Sequence, residues 1–223
     1  MAASIKTVPD RTFPSWFFDH PLRRWFTSPS GLINLCGPER GDVVADLGAG
    51  GGFFFSELSR RIGSTGRIYA VDIDEAALSM ARGIAEGLGI ADRVEFVHAS
   101  AASVPTIPSS TVDYVLSNGT LCCLVEKERA VDEMWRILRP GGRALVTFVT
   151  LGPRWTRRGR VLRTSDSTFR RLLSQRPWEV VPGRMRPFSR RYILRKPEHS
   201  PGATESVEEG FQPRLALGAS ARP

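Results

Sequence analysis

The sequence predicts an α/β fold, a mainly parallel sheet packed between helices, and three observations predict it. Short apolar runs rich in β-branched residues alternate with segments of helical period from Asp42 to Val149. The first of these runs opens into a glycine-rich turn, and the second ends on an acid, so Asp42 to Asp74 reads as one β-α-β unit. The chain of 223 residues is long enough for one domain with a substantial core, and it contains no apolar run of 18 residues that could span a membrane.

In chain order, Met1 to Asp10 reads as an arm. Phe13, Trp16, Phe17, Phe18, Trp25 and Phe26 form a dense aromatic cluster. Pro21 is placed to start a helix at Leu22, and Pro29 opens a second pattern through Leu32, Ile33 and Leu35. Residues 1–40 are thus expected to form an N-terminal helical segment, either a cover over the site or a cap on one sheet edge. Gly37 to Gly41 turns the chain into the first strand.

Val43-Val44-Ala45 is the first strand, Asp46 to Gly52 the glycine turn, Phe53 to Ile62 a helix closed by Gly63, and Arg67 to Val71 the second strand, ending on Asp72. Glycine tolerates positive φ and lets a ligand approach the backbone. A helix start behind such a turn presents backbone N–H groups to an electron-rich ligand. An acid at the second strand's tip can accept the 2′ and 3′ hydroxyls of a ribose. The ligand class is therefore adenosine-like. A dinucleotide fingerprint would need a third glycine where Phe53 stands. Asp46, two residues ahead of Gly48, would repel a pyrophosphate but suits a ligand carrying an ammonium and a sulfonium.

Asp74 is a plausible N-cap for a helix to Gly87 with an apolar stripe of Ala77, Leu78, Ala81, Ile84 and Ala85. Arg93 to His98 is strand three, with Val94, Phe96 and Val97 inward, and Ala99-Ser100-Ala101 turns away from it; His98 at the strand end reads as structural. Thr111 to Asn118 is strand four. Strand tips at this end of a parallel sheet are where ligands bind, which draws Ser117 to Cys123 toward the reacting centre. Cys122 and Cys123 read as small hydrophobes in the packing, with a metal or metalloid ligand as the alternative.

Glu126 to Leu138 is a helix with Val131, Met134, Trp135 and Leu138 at i, i+3, i+4 and i+7. Arg139-Pro140-Gly141-Gly142 is expected to stop it and to turn into a strand from Arg143 to Val149. Arg154 to Arg163 is a basic connection. Asp166 or Ser167 is expected to cap a short helix through Phe169, Leu172 and Leu173, before a closing pair of strands at Trp178–Val181 and Arg191–Leu194. Residues 197–223, rich in Pro, Gly, Ser and charge, read as a disordered tail.

The net charge of +8 sits in the last third, where arginines dominate. A solvated surface explains it; a nucleic acid, a membrane surface or another polyanion is the alternative. Three cysteines are too few for a disulfide framework, and the N-terminus lacks the apolar core of a signal peptide, so a cytoplasmic setting is expected.

The spacing Asp46-x-Gly48-x-Gly50-x-Gly52 resembles motif I of the class I S-adenosylmethionine-dependent methyltransferases. ILRPGGRALV resembles the same family's post-motif III segment, and Val112-Asp113-Tyr114-Val115 its Phe-Asp-x-Val pattern with the aromatic moved behind the acid. HPLRRWFTSPSGLINL followed by RGDVVADLGAGGGFF, and Ser189-Arg190-Arg191 later, are similar to a subgroup related to the type-11 and ubiquinone/menaquinone-biosynthesis enzymes. The resemblance implies a Rossmann-like three-layer α/β/α sandwich over residues 41–196. Its sheet would be seven-stranded, mainly parallel, with an antiparallel last strand. It implies S-adenosyl-L-methionine as cofactor, with Asp46 at its amino-acid end and Asp72 on its ribose. Gly48, Ala49, Gly50 and Gly52 would form the cradle, with Ile73, Ser100, Ala101, Ser117 and Asn118 completing the site. Ser100 stands where the family usually has an acid for the adenine amino group, and relatives often carry histidine where Cys122 and Cys123 sit.

The expected reaction is an in-line displacement of an activated methyl group, which strictly requires alignment and water exclusion rather than an acid or base. No catalytic residue is assigned; His20, Cys122 and Tyr192 are the side chains to test, and no metal is expected. A small-molecule acceptor fits the minimal core. The alternatives are methylation of RNA or another polyanion through the arginine-rich third, and a cofactor-binding module without turnover. Oligomeric state is not readable from the sequence.

Overall fold

The computed structural model describes residues 28–149, 164–182 and 189–198. The aromatic cluster from Phe13 to Phe26, the helix expected at Leu22, the basic connection Arg154–Arg163, the loop 183–188 and the tail beyond residue 198 lie outside the described residues.

A helix α1 (Pro29–Ile33) comes first, capped by Ser28, whose hydroxyl accepts the Gly31 amide. The order then runs β1 (Val43–Leu47), α2 (Phe55–Ile62), β2 (Arg67–Asp72), α3 (Glu75–Gly87), β3 (Val94–His98), β4 (Val112–Asn118), α4 (Lys127–Ile137) and β5 (Leu138–Val149). After the undescribed connection come α5 (Asp166–Leu173), β6 (Glu179–Pro182) and β7 (Ser189–Arg195). The seven strands form one sheet in the order β3-β2-β1-β4-β5-β7-β6. β1 to β5 are parallel, and β7 runs antiparallel to both β5 and β6. The expected seven-stranded, mainly parallel sheet with an antiparallel last strand is therefore the observed one.

Side chains alternate across the sheet with period two, and both faces are covered. One face carries Ala45, Leu47, Val71, Val115 and Val146 against Val131 and Met134 of α4 and Phe169 and Leu172 of α5. The other carries Val44, Ile68, Ala70, Tyr114 and Leu116 against Ile33 of α1, Phe55, Leu58 and Ile62 of α2, and Ala81 and Ala85 of α3. Leu58 and Phe55 are fully buried, and truncating side chains of this kind costs about 2–5 kcal/mol.

Several boundaries differ from the sequence expectation. α2 begins at Phe55 rather than Phe53, because Gly52 stands at φ 80° and residues 51–54 form a turn. Ile84 is 47% exposed: the buried face of α3 runs through Leu78, Ala81 and Ala85, and Ile84 lies at its margin. Leu35 is also exposed, and Phe96 is only half-buried, packed edge-on against Phe55 under the Arg82 guanidinium. α4 ends at Ile137 and Leu138 is already extended and paired with Val112. Arg139 to Gly142 is thus an irregularity inside β5, with Gly141 at φ 75°, rather than a turn ahead of it. The cap of α5 is Ser165, whose hydroxyl accepts the Thr168 amide at 3.0 Å; Asp166 is used elsewhere.

β2 and β3 lie on one side of β1 and β4 on the other, so the winding direction reverses between β1 and β4. The crevice beyond their carboxyl ends is where open α/β sheets bind ligands.

Candidate functional site

The glycine turn leaves β1 at that crevice. Gly48, Gly50 and Gly52 all have positive φ, at 84°, 54° and 80°. A Cβ on Gly48 would lie 2.2 Å from the Thr120 hydroxyl oxygen, and one on Gly52 would lie 2.9 Å from the Phe55 ring. Conformation and close approach thus both require glycine at these two positions.

The turn is tied from two sides. The amides of Gly48 and Ala49 both donate to the Val71 carbonyl of β2, at 2.8 and 2.9 Å. The Gly50 amide donates to Asp72 Oδ2 at 2.8 Å, while Asp72 Oδ1 accepts the Asp74 amide at 3.0 Å. On the other side, Thr120 Oγ1 donates to the Leu47 carbonyl at 2.6 Å. Burial, opposed by the amides of Asp74 and Gly50, pushes the Asp72 carboxyl above the ordinary aspartate range. The Ile73 amide also bonds this carboxylate, so three backbone N–H groups converge on it.

Asp46 is 1% exposed, at the penultimate position of β1, paired in register with Leu116 of β4. A carboxylate this deep requires cationic or hydrogen-bonding compensation. On β4, Ser117 is fully buried, and its hydroxyl makes no hydrogen bond among the described residues. Asn118 Oδ1 accepts the Thr147 hydroxyl at 2.6 Å, which holds the tips of β4 and β5 together. On the β2 side, Asp74 caps α3 by accepting the Ala76 and Ala77 amides. Ile73 leaves its side chain 40% exposed, and its carbonyl accepts His98 Nε2–H at 3.0 Å. His98 is thereby occupied in structure. Ser100 Oγ accepts the Ala102 amide at 3.3 Å, and Ala101 is buried.

Asp46, Gly48, Ala49, Gly50, Gly52, Asp72 and Ile73 therefore gather around one crevice, with Ser117 and Asn118 across it at the tip of β4 and Ser100 and Ala101 after β3. Of the side chains named for catalysis, His20 lies outside the described residues. The Cys122 thiol donates to the Gly119 carbonyl at 2.8 Å, and Cys123 reaches the same oxygen at 3.5 Å. Tyr192 is packed against Phe148 and Phe169 and donates its hydroxyl to Asp166. Burial, then that carboxylate, pushes the Tyr192 hydroxyl up to about 12, so it is a poor base at neutral pH. Thr120 lies within the stretch Ser117 to Cys123 expected near the reacting centre, but the sequence singled out no role for it. Its only signal is a hydroxyl placed two residues beyond the tip of β4.

Among the described arginines of the basic third, Arg170 and Arg190 flank Asp166, Arg171 lies by Glu128, Arg176 by Asp132 and Arg195 by Glu198. Among the described residues no group of three or more His, Cys, Asp or Glu side chains is arranged to hold a metal, and no helix is long and apolar enough to cross a membrane.

Residues 45–146 match the family described as methyltransferase domain. The ubiquinone/menaquinone biosynthesis C-methyltransferase UbiE of Escherichia fergusonii is 38% identical over 127 residues, which cover 57% of this chain and 48% of that protein. The chain thus spans about half the length of the curated relatives it matches. Among solved structures, a SAM dependent methyltransferase from Aquifex aeolicus superposes with a TM-score of 0.70 at 22% identity, covering 82% of this chain and 99% of that one. Phosphoethanolamine N-methyltransferase 2 of Haemonchus contortus, in complex with S-adenosyl-L-methionine, superposes with a TM-score of 0.65 at 14% identity, covering 76% and 52%. At these identities the superpositions speak to the fold.

Proposed function

We propose that residues 45–146, which match the family described as methyltransferase domain, work as a class I, S-adenosylmethionine-dependent methyltransferase, and that the chain transfers a methyl group from S-adenosyl-L-methionine to a small molecule. The observation that carries the reading is the pair of acids on either side of the glycine turn: Asp46, 1% exposed at the end of β1, and Asp72, bonded to Gly50 at the end of β2. The residues fit the cofactor. Positive φ at Gly48, Gly50 and Gly52 gives the turn the shape in which its backbone can face a ligand. The Asp72 carboxylate at the tip of β2 suits ribose hydroxyls, and the exposed Ile73 side chain suits an aromatic base. Asp46 provides the negative charge that an ammonium and a sulfonium call for.

The bound cofactor supplies a methyl group already activated by a sulfonium. What this chain's residues then contribute is alignment and exclusion of water. Ser117 and Asn118 stand at the tip of β4, next to the strand that leads into the glycine turn, and the Ser117 hydroxyl, buried and without a hydrogen bond among the described residues, supports a role in orienting a ligand there. A small-molecule acceptor is supported by the curated relatives, which are named as C-methyltransferases of ubiquinone/menaquinone biosynthesis. A polyanion would need uncommitted arginines. Arg170, Arg171, Arg176, Arg190 and Arg195 stand beside acids, which weighs against that reading.

Calorimetry with S-adenosylmethionine and its demethylated product tests the proposal. The wild type should bind both, and Asp46→Asn should lose roughly a hundredfold in affinity, as for a hydrogen-bonded charge. Unchanged affinity in a folded Asp46→Asn protein would overturn the assignment. Binding without a methylated product across a broad panel of acceptors would mark a cofactor-binding module instead. Steep weakening of acceptor binding with salt would mark a polyanion.

A further inference from the structure

Thr120 joins the two halves of the crevice. It sits in the turn after β4, and its hydroxyl donates to the Leu47 carbonyl at 2.6 Å, across 73 residues of sequence. The same side chain fills the space that any side chain on Gly48 would take: a Cβ there would meet its oxygen at 2.2 Å and its methyl carbon at 2.9 Å. The register of β1 with β4 ends at Asp46 and Leu116, so the Leu47 carbonyl lies beyond the last pair of that ladder. The Thr120 hydroxyl supplies the donor that the neighbouring strand no longer provides there.

The loop that carries Thr120 is itself anchored. The Gly119 amide donates to the Thr147 carbonyl at 2.9 Å, and Gly119 takes φ 79°. The Cys123 amide donates back to the Thr120 carbonyl at 2.8 Å. A fixed loop therefore presses a hydroxyl and a methyl group onto the first glycine of the turn, while Val71 holds the same turn from the β2 side. Neither anchor alone restrains both flanks of the backbone between Leu47 and Gly50.

We propose that Thr120 is a positioning residue for the methyl donor: it latches the glycine turn in its ligand-accepting shape and couples that turn to the acceptor-facing loop 119–123. This rests on the reading of the crevice as an S-adenosylmethionine site. Thr120 need not touch the ligand; its effect passes through the Leu47 carbonyl and the Gly48 backbone.

The test compares Thr120→Val, which keeps the shape and removes the donor, with Thr120→Ser, which keeps the donor. Two readouts are taken: calorimetry with S-adenosylmethionine, and hydrogen–deuterium exchange of the ligand-free protein. Thr120→Val should lose about tenfold in affinity, while Thr120→Ser stays close to wild type. In the ligand-free protein, Thr120→Val should speed exchange at Gly48 to Gly52 and leave β5 and α4 unchanged. Equal affinity and equal exchange in Thr120→Val would overturn the proposal. So would a loss in Thr120→Val that Thr120→Ser fails to restore, or faster exchange spread over the whole sheet, which marks general destabilisation. If the wild type itself binds no S-adenosylmethionine, the cofactor reading fails, and the exchange comparison still decides whether Thr120 latches the turn.

Discussion

Asp72 accepts the amide of Gly50 at 2.8 Å, so the acid proposed to hold the ribose also shapes the glycine turn. Its substitution should therefore act twice. Asp72→Asn should lower stability by about 1–2 kcal/mol, through the weakened bonds to Gly50 and Asp74. It should also weaken S-adenosylmethionine binding at least tenfold. Thermal unfolding and calorimetry on the same sample separate the two effects.

The same carboxyl sets a pH dependence. Burial raises its pKa in the folded protein, so its contribution to folding is greatest below the unfolded value and is lost as pH rises through the raised one. Binding has the opposite sign, because ribose hydroxyls require the ionised acceptor. Affinity for S-adenosylmethionine should fall as pH is lowered from neutrality, starting above the range of an ordinary aspartate. Asp72→Asn should flatten this fall, and titration calorimetry over mildly acidic pH reads it directly.

Gly52→Ala should be costly although only a methyl is added. The position holds φ 80°, and the new carbon would meet the buried Phe55 ring at 2.9 Å. A loss of about 1–3 kcal/mol is expected, measured by chemical denaturation. A neutral result would mean that the start of α2 moves freely.

Tyr192→Phe should separate structure from chemistry. It deletes the hydrogen bond to Asp166 but keeps the ring stack on Phe148. Stability should fall by about 1 kcal/mol near neutral pH. Burial, then the Asp166 carboxylate, holds the tyrosine proton to about 12, so this contribution is present below the unfolded pKa and is lost as pH rises through that value. Methyl transfer in the variant should keep the wild-type pH profile between 6 and 9 (a range of about three units around neutrality).

Tyr114→Phe carries the opposite sign. The Tyr114 hydroxyl is fully buried and makes no hydrogen bond among the described residues. Removing it should leave stability unchanged or raise it by up to about 1 kcal/mol. A loss beyond that, read from the denaturation midpoint, would reveal a bond to this hydroxyl.

The sheet was legible because its signals are local. Val43 to Ala45 and Arg67 to Val71 are short apolar runs, and a glycine turn with an acid at Asp72 has a fixed spacing. Capping was legible at Asp74 and misplaced at α5. There Asp166 is engaged by Tyr192 and Arg170, leaving Ser165 to accept the Thr168 amide. Thr120 left no such trace, since its partner is 73 residues away and the contact depends on how β1 and β4 sit side by side. The early start of β5 was hidden for a related reason: Leu138 is extended because Val112 pairs with it, and Pro140-Gly141-Gly142 reads locally as a turn. Ile84 fitted the helical period and still faces solvent, because the small residues Ala81 and Ala85 set which side of α3 meets the sheet.

Asp113 lies near the amino end of β4, at the opposite end of the strands from the crevice. Its Oδ2 accepts the Val43 amide at 2.7 Å, and its Oδ1 pairs with Arg139. One carboxylate thus fastens the entry of β1, the entry of β4 and the irregular segment of β5 where all three begin. Any screen that scores variants by product formation alone would rank Asp113 beside Asp46 and Asp72, although it is separated from the ligand by the full length of the strands. Sorting such hits requires a folding readout for each, and an acid that fails both measurements together is a hinge-pin of the scaffold rather than a member of the reaction centre.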